Sequence, residues 1–550
     1  MIRPADYPPP AVEVVASPVD ADPIEAGILV VGAGPAGLAA AIRLGQLAQE
    51  DPATAAGLGE VPFAVLEKGK AAGSHLLSGA VINPAPLRRL LGETPFPSYG
   101  EVRHEAVFLL TRRRAWRIPT PPTMRNEGNV VVSLSQLGRA LASEAERLGV
   151  IVLPESAAGR LLVDGDAVVG VRTGDKGRGR AGEELARFEP GSDIRARVTI
   201  LAEGTQGHLT GVAIERFGLA GVNPQVWALG VKEVWKVARP LRRVIHTLGW
   251  PLRAGARFRE FGGSFVYPLG DELVSLGMVV GLDHADTQLS VHDLLQELKG
   301  HPLVRRILDD GERVEWGAKT IPEGGLLSLP SALHAPGLLL CGDGAGFVNV
   351  PSLKGIHYAI ESGRLAAEAA WGALAGGELA SYDEAVRGSS IWSELGEVRN
   401  VRQAFSRGLW VGSATAGLMT ATKGRFPGAD RRVEQDAAAP VAAMGAAAGY
   451  PVADGRLTFD KLSSVFLSGN RTRDDQPSHI RVETRVPREL AELWQHMCPA
   501  GVYEPGAEHG DGTVEVALSP ANCVQCGAIS AKGGRLTPPE GGSGPEYTRT

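Results

Sequence analysis

The run GILVVGAGPAGLAAAIRL, Gly27 to Leu44, constrains the fold more than any other stretch of the chain. Its apolar, β-branched start reads as a buried strand, Gly32, Gly34 and Gly37 as a tight turn, and the alanine-rich remainder as a helix. In that context the three glycines do different things. The first permits the turn, the second lets backbone approach a pyrophosphate, and the third lets helix and strand pack closely. The anion then sits at the helix N-terminus, where unpaired amide N–H groups face it. A second strand, FAVLEK, ends in Glu67, placed to accept hydrogen bonds from a ribose. Glu67 lies 30 residues past Gly37 instead of about 20, and Gln46–Gly59 reads as a longer helix and loop that fills the gap.

A second region decides which dinucleotide this is. Gly337 to Ala370 is another apolar strand, ending in Gly342-Asp343 and running into a helix that is small on one face. NAD needs only the first motif, whereas an extended flavin reaches from the first to the second, so FAD is favoured. A third strand, VTILAEGTQG (Val198 to Gly207), falls between them. Cys341, on the strand before Asp343, reads as a core cysteine. Period-two stretches such as DAVVGVRTG, GGSFVYPL and LVSLGMVVGL predict a sheet-rich substrate domain.

At 550 residues the chain exceeds one ordinary core, so two or three domains are expected. A net charge of −6 gives no electrostatic reason to propose nucleic acid as a partner. Three of the four cysteines, Cys498, Cys523 and Cys526, cluster near the C-terminus, which suggests one site rather than a disulfide framework. The proline-rich, acidic leader has no apolar core of a signal peptide and only one arginine, and reads as a flexible or loosely docked arm. No uncharged run has the length of a spanning helix without Gly or Pro breaks.

Longer words narrow the reading further. EKGKAAGSHLLSGAVINP, HTLGWPL, FGGSFVYPL, GFVNVPSLKGIHYAIESG, FDKLSSVFLSGNRTRDDQPSHI, CPAGVYE and TPPEGGSGPEY occur in order. Together they resemble the electron transfer flavoprotein:ubiquinone oxidoreductase family over nearly everything after Gly27. The resemblance implies an α/β and α+β multidomain fold, with a Rossmann-like FAD-binding domain, a sheet-rich quinone-binding domain and a C-terminal ferredoxin-like iron-sulfur domain. It divides the chain into a leader (1–26), a discontinuous FAD domain (27–105, 130–215, 330–436), a quinone domain (106–129, 216–329), a linker (437–453) and the iron-sulfur domain (454–550). The implied FAD contacts are Gly32, Gly34, Gly37, Glu67, Gly73, His75, Ser78, Gly342, Asp343, Asn349, Lys354 and Gly355. Quinone is implied at the backbone of Gly262 and Gly263, although a bulge or close strand approach also explains paired glycines.

The implied activity takes electrons from reduced electron transfer flavoprotein and reduces a membrane quinone, ubiquinone or menaquinone, with no general acid or nucleophile named in the chain. The implied location is the cytoplasmic side of a bacterial inner membrane, held to the lipid surface without crossing it. Val107–Met124 and Asn400–Phe426, where basic and aromatic residues mix, are the segments expected to face headgroups. The family holds a [4Fe-4S] cluster on four cysteines. Cys498, Cys523 and Cys526 match three of them, but Ile529 stands where the fourth belongs, and an isoleucine cannot donate an electron pair to iron. A [4Fe-4S] cluster with one iron bound by solvent or Ser530, a [3Fe-4S] cluster, zinc, and no metal group all remain open. Rival readings are a cluster-free geranylgeranyl reductase-like enzyme, an NAD(P)H-dependent hydroxylase, and a non-enzymatic docking subunit that binds FAD structurally.

Overall fold

A computed structural model describes residues 1–426 and 428–550. The first strand, Ile24–Val31, is buried from Ala26 onward and pairs in parallel with Val61–Leu66 on one side and Asp193–Leu201 on the other. Ile151–Leu153 and Leu338–Leu340 extend this parallel core outward. Strands covered on both faces need continuous apolar sequence, which is what ILVV and LLL supply. The helix Pro35–Glu50 follows the glycine turn and packs on Ile356–Leu374. Their contact is close because Gly363 has no side chain; a Cβ there would lie 2.0 Å from the Ala36 carbonyl oxygen.

A second sheet has seven strands in the order Glu312–Pro322, Trp227–Lys236, Leu273–Gly281, Gly262–Leu269, Val244–Gly249, Glu105–Leu110 and Ala115–Ile118. All neighbours are antiparallel except Val244–Gly249 with Glu105–Leu110. Its far face is closed by the helix Val291–Lys299 and by the C-terminal segment, with which it shares one apolar core. Within this packing Glu233 is fully buried and accepts from Lys299 at 2.9 Å and from Arg313 at 3.3 Å. Arg313 also lies over the Phe459 ring at 3.6 Å, so the ionic group ties sheet to C-terminal segment.

That last segment builds a three-stranded antiparallel sheet (Arg485–Pro487, Thr513–Leu518, Tyr503–Glu508) beside the helix Arg488–Met497. The leader, expected as a flexible or loosely docked arm, is docked. Ile2 exchanges backbone hydrogen bonds with Val441, and Val15–Ala16 pairs in parallel with Leu161–Leu162, because these leader strands find unpaired edges to complete. Residues 437–453, expected as a linker, are likewise laid down, with Val441 fully buried and the Tyr450 hydroxyl accepting from Ser290 N at 2.7 Å.

Candidate functional site

The two sheets face each other across a long cleft. On the first wall, the Gly32 amide donates to the Leu66 carbonyl at 2.8 Å while its own φ is +108°. A Cβ on Gly37 would lie 1.9 Å from the Gly32 carbonyl oxygen, so this glycine packs helix against turn. Gly34 instead faces open space, with Leu76 the nearest neighbour to its missing Cβ at 3.8 Å, and the helix N-terminus opens on the cleft. Both Glu67 oxygens are taken by backbone donors, Ala33 N at 3.1 Å and Gly69 N at 2.6 Å. Burial pushes this carboxyl above its ordinary range despite those donors.

Of the expected cofactor residues, Gly32, Gly34, Glu67, His75 and Ser78 line the cleft on this side. Gly342, Asp343, Lys354 and Gly355 line it from the second motif. Gly37, Gly73 and Asn349 do not. Gly37 and Gly73 stand behind the wall, where a Cβ would meet the carbonyls of Gly32 and Ser135. Asn349 is turned inward and donates weakly to the Tyr358 hydroxyl at 3.4 Å. These three shape the wall without forming its surface.

The second wall is one face of the seven-stranded sheet. Cross-strand register aligns Lys319, Gly230, Val279 and Gly263 in one row, and Gly317, Lys232, Gly277 and Phe265 in the next. Lys319, Gly230, Val279, Lys232 and Phe265 reach the cleft. The glycines leave a smooth floor, and the Phe265 ring covers Gly277, whose Cβ would fall 2.3 Å from it. Gly262 and Gly263 do not line the cleft, although Phe265 and Tyr267 of the same strand do. A Cβ on Gly262 would meet the Val279 carbonyl at 2.0 Å and one on Gly263 the Thr247 carbonyl at 2.6 Å, so close strand approach by itself requires glycine here.

Several cleft groups were not singled out from the sequence. Lys232 donates to the Ser78 carbonyl at 2.6 Å, Lys68 to the Gln525 side chain at 2.7 Å, and Lys319 to the Gln525 carbonyl at 3.1 Å. Burial brings Lys232 down to about 7 and Lys319 and Lys354 to about 8. Burial raises Asp343 to about 6. Gln525 and Gly527, inside the C-x2-C loop, themselves line the cleft. The available signal was a lysine in each of two apolar strands, GVKEV and WGAKTIP, on the face whose neighbours are glycine. A dinucleotide fits these residues: a helix N-terminus faces the cleft, buried lysines offset its phosphates, and the buried His75 Nδ1 lacks a partner.

Cys341 is fully buried and its thiol donates to the Leu201 carbonyl at 3.6 Å, as a core residue should. Cys498 and Cys523 are buried and Cys526 is half-buried; all three are free thiols. Among the described residues no three His, Cys, Asp or Glu side chains are grouped tightly enough for a single metal ion. Four thiolates for a cubane are not present, because Ile529 occupies the fourth place and the Ser530 hydroxyl is engaged by Leu536 N at 3.3 Å.

Residues 227–321 match the family description "ETF-QO, ubiquinone-binding", and residues 455–548 match "Electron transfer flavoprotein-ubiquinone oxidoreductase, 4Fe-4S". The mitochondrial electron transfer flavoprotein-ubiquinone oxidoreductase of Oryza sativa is 39% identical, over 95% of this chain and 92% of the rice protein. The chain belongs to the electron transfer flavoprotein-ubiquinone oxidoreductase family. The human mitochondrial member is 37% identical over 95% of this chain and 89% of its own, and a probable member from Acinetobacter baylyi is 35% identical over 96% and 99%. Among solved structures, a geranylgeranyl bacteriochlorophyll reductase-like protein from Thermoplasma acidophilum superposes with a TM-score of 0.53 at 19% identity, covering 74% of this chain and 97% of that one. That likeness concerns the fold. The family's ubiquinone-binding segment contributes Gly230, Lys232, Phe265, Tyr267, Val279 and Lys319 to the cleft wall.

The two segments expected to face headgroups are divided by the fold. In Asn400–Phe426, Arg402 is buried, donating to Asp283 and Glu323 at 2.7 Å each, and Phe405 packs on Phe261 at 4.8 Å between ring centroids. The charge of Arg402 therefore serves the interior, whereas Arg407, Lys423 and Arg425 are exposed. Trp410, Val411, Leu418 and Phe426 remain exposed. In Val107–Met124, Val107 and Leu110 belong to the sheet core, and the arginine turn Thr111–Arg114 and Trp116 project from it. No helix among the described residues is long and apolar enough to cross a membrane.

Proposed function

We propose that this protein carries FAD in the cleft, accepts electrons from reduced electron transfer flavoprotein and delivers them to a membrane quinone. The observation that carries the reading is the cleft itself: a dinucleotide-type glycine turn forms one wall and the family's ubiquinone-binding segment the other. FAD, when bound, supplies one-electron uptake and two-electron release. The chain's part is to hold and insulate it. Gly34 and the helix N-terminus accept the diphosphate, Glu67 meets the adenosine ribose, and His75, Ser78, Gly342, Asp343, Lys354 and Gly355 border the remainder. Lys232, Lys319 and Lys68 offset negative charge in a site from which water is largely excluded.

Quinone approaches from the end of the sheet that carries Gly262, Gly263, Gly249 and Leu110. Gly249 stands opposite Leu110 at that end, beside the arginine turn, and Gly408 lies against Ala254 and Ala256 of the loop that follows. The exposed Trp410, Val411 and Leu418 and the arginines of Thr111–Arg114 together suit a headgroup layer, which supports the proposal that the protein attaches to one membrane surface, in a bacterium the cytoplasmic one. The division into a discontinuous FAD domain, a quinone domain and a C-terminal iron-sulfur domain expected from the sequence is part of this proposal.

The test is anaerobic: FAD-loaded protein is mixed with reduced electron transfer flavoprotein and a short-chain quinone, and quinol is measured. Quinol formed in proportion to donor oxidised supports the reading. A flavin that the donor does not reduce, or that reduces prenyl double bonds instead of quinone, overturns it.

A further inference from the structure

We infer that Cys498, Cys523 and Cys526 bind a [3Fe-4S] cluster in place of the family's cubane, with Ile529 closing the corner where a fourth iron would sit. The inference rests on the family's iron-sulfur segment and not on the quinone reading.

The three sulfurs converge. Cys498 ends the helix Arg488–Met497, and Cys523 and Cys526 sit on the loop between the turns Pro520–Asn522 and Ala528–Ala531. The Cys498 loop is tied to the Cys523 loop, where the Asn522 side chain donates to the Gly501 carbonyl at 3.3 Å and the Ser519 amide to the Val502 carbonyl at 2.9 Å. Among the described residues the three thiols are not grouped as ligands of a single ion, which argues against zinc. Backbone donors face the sulfurs as an anionic group requires: Gln525 N lies 3.4 Å from Cys523 Sγ, the amides of Ala500, Gly501 and Val502 face Cys498, and that of Ala528 faces Cys526. Lys68, Lys319 and Lys461, all half-buried, lie near Cys523, Cys526 and Cys498 in that order. Three thiols lose their protons on binding, and the resulting negative charge meets three cations.

Ile529 is 4% exposed and shares the core that contains Cys498, Cys523 and Tyr503. The loop closes tightly around it, since a Cβ on Gly534 would lie 2.5 Å from Ile529 Cγ1 and 2.8 Å from a methyl of Val482. Packing of that kind leaves no room for the turn to shift and bring Ser530 inward, and the Ser530 amide is itself bonded to the Gly527 carbonyl at 3.1 Å. An uncapped iron beside hydrocarbon has neither a protein donor nor solvent to hold it, so the stable form is the cuboidal cluster that lacks it.

The experiment uses the whole chain, purified anaerobically with FAD, and reads iron, sulfide and FAD content together with electron paramagnetic resonance before and after dithionite. The expected result is about three irons and about four sulfides per FAD, with a spin-one-half signal in the oxidised protein that disappears on reduction. Ile529→Cys should gain an iron and move the signal to the reduced state, Ser530→Ala should change neither, and Cys498→Ser should lose iron while FAD content stays. About four irons with a signal only after reduction, loss of the signal in Ser530→Ala, or iron near zero with full FAD would each overturn the inference. FAD content and quinol formation in the same samples report on the flavin reading separately.

Discussion

The Tyr267 hydroxyl and His246 Nε2 stand 2.6 Å apart, both residues almost wholly buried, and Tyr267 lines the cleft. Burial first, and nearby Lys354 second, bring the imidazole down to about 3, so it is neutral at physiological pH. In the Nε2–H form of the ring, the imidazole donates to the tyrosine oxygen and leaves the O–H free to point into the cleft, toward the carbonyl of a bound quinone. Tyr267→Phe is expected to keep FAD and slow quinol formation about a hundredfold, with His246→Gln similar. Stopped-flow reoxidation of the reduced flavin by quinone is the measurement. His246→Gln should leave the shape of the pH profile between about pH 5 and 8 as in the wild type; an inflection lost with the ring would show that His246 titrates there.

Glu233 stands between Lys299 and Arg313 with no solvent contact. Burial works to raise its carboxyl, and Lys299 and Arg313 overcome that, holding it below the ordinary value. A depressed carboxyl contributes stability above its unfolded value that is lost as pH falls through the folded one. Glu233→Gln strands two buried cations and is expected to cost about 3–5 kcal/mol. Urea denaturation of the holo protein checks it; a cost within experimental error would show that the pair is not ionised.

Acid should weaken the fold through its buried histidines. Burial brings His246 and His284 to about 3 and His292 and His479 to about 4. Unfolded, these rings take up protons below about 6.5, which the native state resists, so stability falls as pH drops from there toward the native values. Each contributes at most about 1.4 kcal/mol per pH unit. Urea midpoints measured from pH 7 to 4.5 should fall steadily, and a flat series would contradict the neutral, buried state of these rings.

Membrane attachment should depend on the helix Leu409–Ala421. Trp410 is 66% exposed and Leu418 45%. Their replacement by serine together should reduce co-sedimentation with anionic phospholipid vesicles about tenfold or more, since burying each apolar side chain in the interface is worth roughly 1.5–3 kcal/mol. Phe466, 83% exposed on a different helix, serves as control, and Phe466→Ser should leave binding unchanged. Equal losses in both variants would mean that exposed apolar area, not this helix, drives sedimentation.

Gly37→Ala should release the cofactor. The added methyl would lie 1.9 Å from the Gly32 carbonyl, and relief requires helix and turn to part, at a cost of about 1–3 kcal/mol. Purified protein with substoichiometric FAD is the expected result; full FAD content would show that the turn can yield.

By itself, the sequence determined the strand, turn and helix around Gly32, the second motif at Gly342-Asp343, the family, and the missing ligand at Ile529. Those are local: a glycine that meets a carbonyl, or an isoleucine in a thiolate's place, declares itself within a few residues. Only the tertiary structure decided that Gly37, Gly73 and Asn349 support the cleft from behind, that Arg402 is an interior cation, and that the leader is docked. It also brought Gln525 and Gly527 of the C-x2-C loop into the wall of the cofactor cleft, and placed Lys68 and Lys319 against that loop. The physical reason is separation along the chain. Lys68 and Gln525 are 457 residues apart, and a contact of that range depends on how two sheets and a C-terminal segment pack, which no local pattern encodes.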